Sequence, residues 1–351
     1  MKKTQVALAA LALMASTAVL ADGVTVSGSL DAGVAATNAA ANSNRGMAFA
    51  DGNWNGGSYF TISGTEAAGN GLKMGFTLQT GMNMTNGTMA NGGTIPATDG
   101  TSTTTQGVFN RQANINLSGD FGTITVGQQL NQYIAGATGT ELANAPFGSF
   151  TVNSILNAAA GGIAGGFFTP NAVTYALPSI SGLNVALQTQ IKGPAGLDSA
   201  TMSSASASYD LGDIKFSAGA ITRGTVSSAY TIGASMPLPV AGITANLRFT
   251  KDSPKDGSAS TSQAQGGVAY PLSEAVTLSL QHASRQAPAA VGDNTLTSIG
   301  AHYKLSNTAT FYAILNRASS GQNLFYSGGA TNVTGAGDSM TGLAIGAVKN
   351  F

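Results

Sequence analysis

Cysteine is absent from all 351 residues, so no disulfide is available and a small stapled scaffold is excluded, although the compartment stays open. Charge is scarce: Asp, Glu, Lys and Arg make up 9 % of the chain, split evenly between 15 basic and 15 acidic residues. No basic patch argues for nucleic acid as a partner. No stretch beyond the N-terminus is apolar enough for a membrane helix. Nucleotide-binding loops, metal clusters and cofactor signatures are missing too, so no cofactor is expected. What abounds is glycine, 47 residues of it, among many Ser, Thr and Asn, with a mean hydropathy still slightly positive. That mixture suits neither a disordered tail nor a helical membrane protein.

The N-terminus "MKKTQVALAALALMASTAVLA" has two lysines, an apolar stretch from Val6 to Ala15, and small or apolar residues at Val19 and Ala21. It reads as a secretory signal peptide over residues 1–21, too short in its apolar run to anchor in a membrane. Cleavage after Ala21 removes Lys2 and Lys3, which takes the 15 basic residues to 13 against 15 acidic ones. An exported chain with positive hydropathy and no membrane helix can bury its apolar surface in lipid as a closed barrel.

The strand periodicity supports this. In "VTVSGSLDAGV", Val24, Val26, Leu30 and Val34 share one face, and Thr25, Ser27, Ser29 and Asp31 the other. "LKMGFTLQTGM" sets Leu72, Met74, Phe76 and Leu78 against Lys73, Thr77 and Gln79, and "LNVALQTQI" repeats the pattern. A soluble sandwich alternates as well, so the connections decide. Seven short turns are predicted at "TEAAGNG", "SGDFG", "LPSISG", "DLGD", "PLPVAG", "PLSEA" and "LSNTA". Longer connections fall at about 35–56, 84–107, 129–171, 192–200, 223–228, 251–263, 286–293 and 318–338. The alternation predicts an all-β fold: a 16-stranded antiparallel transmembrane barrel with short periplasmic turns and longer external loops.

A weak repeat strengthens the reading. Tyr175, Tyr209, Tyr270 and Tyr303 each end a strand beside a short turn, and Phe216 and Phe311 follow two of those turns. By parity the tyrosines point outward, as an aromatic belt at the periplasmic interface would.

"GSYFTISGTEAAGNGLKMGFTLQTGMN" and "FNRQANINLSGDFGTITVGQQ" resemble hallmark stretches of the general porins of Gram-negative bacteria, particularly the proteobacterial trimeric type. The likeness covers the signal peptide, the first five strands and the last strand, and the middle only by rhythm. It implies a porin barrel over residues 22–351, a homotrimer in the outer-membrane lipids of a Gram-negative cell, and a third external loop, about 129–171, folded into the lumen as a constriction. It also implies passive diffusion of small hydrophilic solutes and ions, not catalysis. Where that family commonly carries basic residues in the second strand, this chain has Tyr59 and Ser63, and where it commonly reads "GRQ" it has Gln128. The replacements imply weak charge selectivity.

By alternation, Asp31, Lys73, Lys215, Arg248, Arg285 and Lys304 point into the lumen. Lys73, Lys215 and Lys304 fall near the periplasmic mouth and Arg285 towards the outside; Asp31 and Arg248 fall near mid-height. Loop three offers Glu141. Arg248 facing Asp31 and Glu141 across the constriction would set up a small transverse field, against the plainer reading of hydrated wall charges. A basic mouth would favour anions weakly.

Other features invite a different function. "DGNWNG" has half the spacing of a calcium loop, but Ile62 stands where a bidentate Glu is required, so it reads as a Gly/Asn turn. His282 has outward parity and His302 inward, without a serine motif, which argues against an outer-membrane hydrolase. "NAAAGGIAGGFF" reads as close packing of loop three on the wall. An exported surface-layer or adhesin-like β protein is the structural alternative; detergent-dependent extraction and bilayer conductance separate it from a pore. Finally, Phe351 shares the outward face of Ile345 and Leu343, and resembles the terminal phenylalanine through which the barrel-assembly machinery recognises its substrates. Lys349 on the same face can snorkel to headgroups.

Overall fold

The computed structural model describes residues 23–37, 46–51, 57–89, 94–96, 102–104, 107–142, 167–191, 202–224, 227–240, 242–255, 257, 259–286, 293–319 and 339–351. The expected signal peptide and its cleavage site lie outside them. Nineteen strands and one short helix are described. The first half holds β1 (Thr25–Thr37), β2 (Gly46–Asp51), β3 (Ser58–Gly69), β4 (Leu72–Met82), β5 (Thr94–Pro96), β6 (Ser102–Thr104), β7 (Gln112–Gly119), β8 (Gly122–Leu130), α1 (Gln132–Thr138) and β9 (Phe168–Ala176). The second holds β10 (Leu183–Gln190), β11 (Met202–Leu211), β12 (Ile214–Arg223), β13 (Ser227–Pro237), β14 (Thr244–Pro254), β15 (Thr261–Pro271), β16 (Val276–Gln286), β17 (Asn294–Ser306), β18 (Ala309–Ser319) and β19 (Ser339–Asn350).

All the barrel strands pair antiparallel with their neighbours, and β19 returns to β1 from Ser29↔Asn350 to Thr37↔Gly342, so the sheet closes. β2 and β3 occupy one stave: β2 pairs with Ala32–Thr37 of β1 and β3 with Thr25–Ser29. Counted by staves, the barrel is sixteen-stranded. At the step between the two pairings the Ser58 hydroxyl accepts from Asp31 N at 2.9 Å and donates to Asp31 O at 3.2 Å, so the β1 backbone is satisfied where no ladder partner stands. The sequence places this part of the chain wholly in the first external loop; β2 shows that the loop is narrower, because the run "GMAFAD" alternates well enough to continue the sheet. A small β5–β6 hairpin likewise sits within the second loop.

The short turns fall where expected. The β3–β4 turn is Asn70–Gly71, both with positive φ (50° and 77°), the backbone that matches the twist of a two-residue hairpin. Cross-strand aromatic pairs flank two others: Tyr209 opposite Phe216, and Tyr303 opposite Phe311. Tyr175, Tyr209 and Tyr303 are 38 %, 37 % and 48 % exposed on the outer face, so the belt at the short-turn end is built. Leu187, Ile232, Leu247, Ile299, Leu315 and Ile345 are exposed between the two ends of the strands, on a face that lipid hydrocarbon covers favourably. β1 and the residue after β19 meet at the short-turn end, where Gly28 N donates to Phe351 O at 2.9 Å and Phe351 N to Gly28 O at 3.1 Å.

Candidate functional site: the lumen at loop three

Loop three leaves β8 at Leu130, enters the barrel and turns into α1. Asn131 caps the helix by accepting from Tyr133 N at 2.8 Å. Its wall-facing side buries Tyr133, Ile134 and Ala137 against Met202, Ile221 and Ala229, inward-facing residues of β11, β12 and β13. The approach is backbone to backbone. A Cβ on Gly136 would collide with the Ala218 carbonyl, and one on Gly219 would lie 2.6 Å from Tyr133 O. Small polar residues fill the rest: Ser206 Oγ donates to Gln132 Oε1 at 2.7 Å, and Gln132 N to Ser204 Oγ at 3.3 Å. Burial pushes the Tyr133 hydroxyl up to about 12, against an opposing pull from the Arg248 cation, so it stays neutral under the helix.

The end of α1 is fastened by charge. Arg248 on β14 donates through Nη1 to Ala137 O at 2.7 Å and to Glu141 Oε1, and through Nη2 to Gln265 Oε1 on β15. Asn246 Nδ2 donates to Thr140 O at 3.2 Å beside it. Arg248 and Glu141 are therefore in direct contact, whereas the sequence reading sets them on opposite sides of a gap. The difference arises because the helix lies on the wall and delivers Glu141 to the arginine. Asp31 is not brought to this pair. It is fully buried on β1, where Tyr312 of β18 donates to Oδ1 at 2.7 Å.

The other expected lumen residues are spread out. Lys73, Lys215 and Lys304 are exposed at the short-turn end, Lys215 directly opposite Asp210. Arg285 is buried one residue from the far end of β16. Arg111 was missed at the sequence level. Its guanidinium sits 4.7 Å from the Tyr59 ring centroid and 4.9 Å from that of Phe168, and Nε donates to Gln79 Oε1 at 2.8 Å. Strand parity from Gln112 and Asn114 assigns Arg111 outward. It precedes the first regular pair of β7, however, and its side chain turns in; its place between two aromatic-bearing strands was the signal available. Arg223 and Asp252, both buried at inward positions, were also missed.

His282 faces out, Nδ1 lying 2.8 Å from Thr297 Oγ1, while His302 is buried facing in; the two do not meet a shared nucleophile. Of "DGNWNG" the structure describes Asp51, in β2, and of "NAAAGGIAGGFF" it describes Phe167 and Phe168; the rest of both lies outside the described residues. No group of metal-ligating side chains occurs among the described residues.

A closed sixteen-stave barrel with an apolar outer face and an inward third loop defines the class of outer-membrane diffusion channels. The chain matches the Gram-negative porin family over residues 7–323 and belongs to it. It is 28 % identical over 372 residues to outer membrane porin protein 32 of Delftia acidovorans, covering 99 % of each chain. Among solved structures it is similar to an anion-selective porin from Comamonas acidovorans (TM-score 0.74, 22 % identity, 94 % of this chain and 99 % of that one). OmpT of Vibrio cholerae shares the fold at a TM-score of 0.63 and 14 % identity, covering 93 % of this chain and 97 % of that one. The protein is an outer-membrane channel.

Proposed function

We propose that the channel is passive, has no catalytic role, and weights small hydrophilic solutes and ions only weakly by charge. The observation that carries this is the Arg248–Glu141 contact. A transverse field needs opposite charges separated across the lumen, and here the two cancel within one pair on one wall. Lys73, Lys215, Lys304 and Arg285 stand at the two mouths, so their charge acts before and after the constriction. Arg111, bracketed by aromatic rings at the level of loop three, supports a mild preference for anions, the direction in which the Comamonas porin is selective. Export by a cleaved 1–21 signal peptide, assembly as a homotrimer and recognition of Phe351 by the barrel-assembly machinery complete the reading.

Reversal potentials across a planar bilayer in a salt gradient test it. Arg111→Gln is expected to move the reversal potential towards cation preference. Arg248→Ala is expected to change selectivity less and to make the open-channel current noisier, because it frees the helix end. A large selectivity loss in Arg248→Ala, with none in Arg111→Gln, would overturn the assignment.

A further inference from the structure

The outer face of β16–β19 holds a polar row that the channel function does not use. His282, Thr297, Arg317 and Thr341 are direct cross-strand partners in succession, all pointing away from the lumen. His282 and Arg317 are exposed, and His282 is oriented by its contact with the Thr297 hydroxyl. Ser284, Thr295, Ser319 and Ser339 continue the polar surface towards the external end, with Ser319 Oγ accepting from Thr295 N at 2.6 Å. No acidic residue occurs within β16, β17, β18 or β19, and the nearest described one on this face, Asp293, precedes β17, four residues from Thr297.

The height of the row identifies what it meets. On β13 and β14 the upper limit of the apolar band is marked by Tyr230 and Phe249, ring centroids 6.2 Å apart, with Lys251 directly opposite Tyr230. Tyr230 stands seven residues from the short-turn end of β13 at Pro237; Arg317 stands eight from the short-turn end of β18 at Ala309. Arg317 is therefore level with the outer aromatic girdle, where headgroups begin, and the apolar residues Phe311, Ala313 and Leu315 below it run down to the inner belt. A planar guanidinium with hydroxyls on either side suits a phosphate rather than a neutral headgroup.

We propose that the His282–Thr297–Arg317–Thr341 row binds the phosphate of an anionic lipid in the external leaflet, whose acyl chains lie over Leu280, Ile299, Leu315 and Leu343. Native mass spectrometry of the full barrel in an uncharged detergent, with phosphatidic acid or phosphatidylcholine added, tests it. The parent is expected to retain phosphatidic acid in preference. Arg317→Gln is expected to weaken that retention about ten-fold and His282→Gln less, with phosphatidylcholine unaffected. Conductance should be unchanged in both, since neither side chain faces the lumen. Equal retention of the two lipids by the parent overturns the proposal. So does an Arg317→Gln barrel that binds phosphatidic acid normally but changes its oligomeric mass, which would make the row a contact between copies of the chain.

Discussion

The wall under loop three and the wall that closes the barrel both turn aliphatic residues outward but use their inner faces differently. On β11–β13 the inward positions under the helix include the small or hydroxylated Ser204, Ser206, Ser217, Gly219 and Gly233, beside the apolar Met202, Ile221 and Ala229 on which it packs. On β16–β19 and β1 the inward positions Ala283, Leu296, Ala318, Met340, Ala344 and Ala35 form a buried apolar cluster, joined below by Ile314, Tyr312 and Val348. Parity thus fixes which way a side chain points, but not how polar it is. Small polar residues stand where a backbone must approach the wall. Aliphatic ones stand where the seam between the first and last strands has to hold by side-chain packing.

The comparison can be broken at its closure side first. Deleting Phe351 is expected to leave most of the chain unassembled, read as loss of heat-modifiable gel mobility, while any barrel that does form conducts normally. Leu296→Ala is the next largest, with an expected loss of about 2–5 kcal/mol in denaturant unfolding and an unchanged conductance step. A conductance change as large as the stability change would show that the cluster belongs to the pore. On the other wall, Asn131→Ala removes the cap of α1, a local effect of about 1 kcal/mol. It should appear as current noise with an unmoved global unfolding midpoint; a lowered midpoint would tie the helix to barrel stability and erase the contrast.

Strands, short turns and the tyrosine belt were legible because a period of two and a turn signal are local properties of the chain. The inward parity of Asp31, Arg248 and Lys215 was legible for the same reason. Their partners were not: Glu141 and Arg248 are 107 residues apart, and Tyr312 is 281 from Asp31, so only the closed barrel brings them together. β2 escaped because its six residues lie between an Ala- and Asn-rich stretch and the Gly- and Asn-rich "GNWNGG", both of which read as loop. Arg111 escaped because parity fails at the irregular start of a strand.

The Gly28–Phe351 seam also has a place in time. All the other neighbouring staves follow one another along the chain, several across a two-residue turn, and each such hairpin can form as soon as its two strands exist. Ser29 and Asn350 are 321 residues apart, so their pairing carries the largest loop-closure entropy in the molecule and becomes much easier once the intervening hairpins have shortened the path. Among the ladder pairings, the β1–β19 seam is thus the one expected to form last, and until it does the barrel has two open edges.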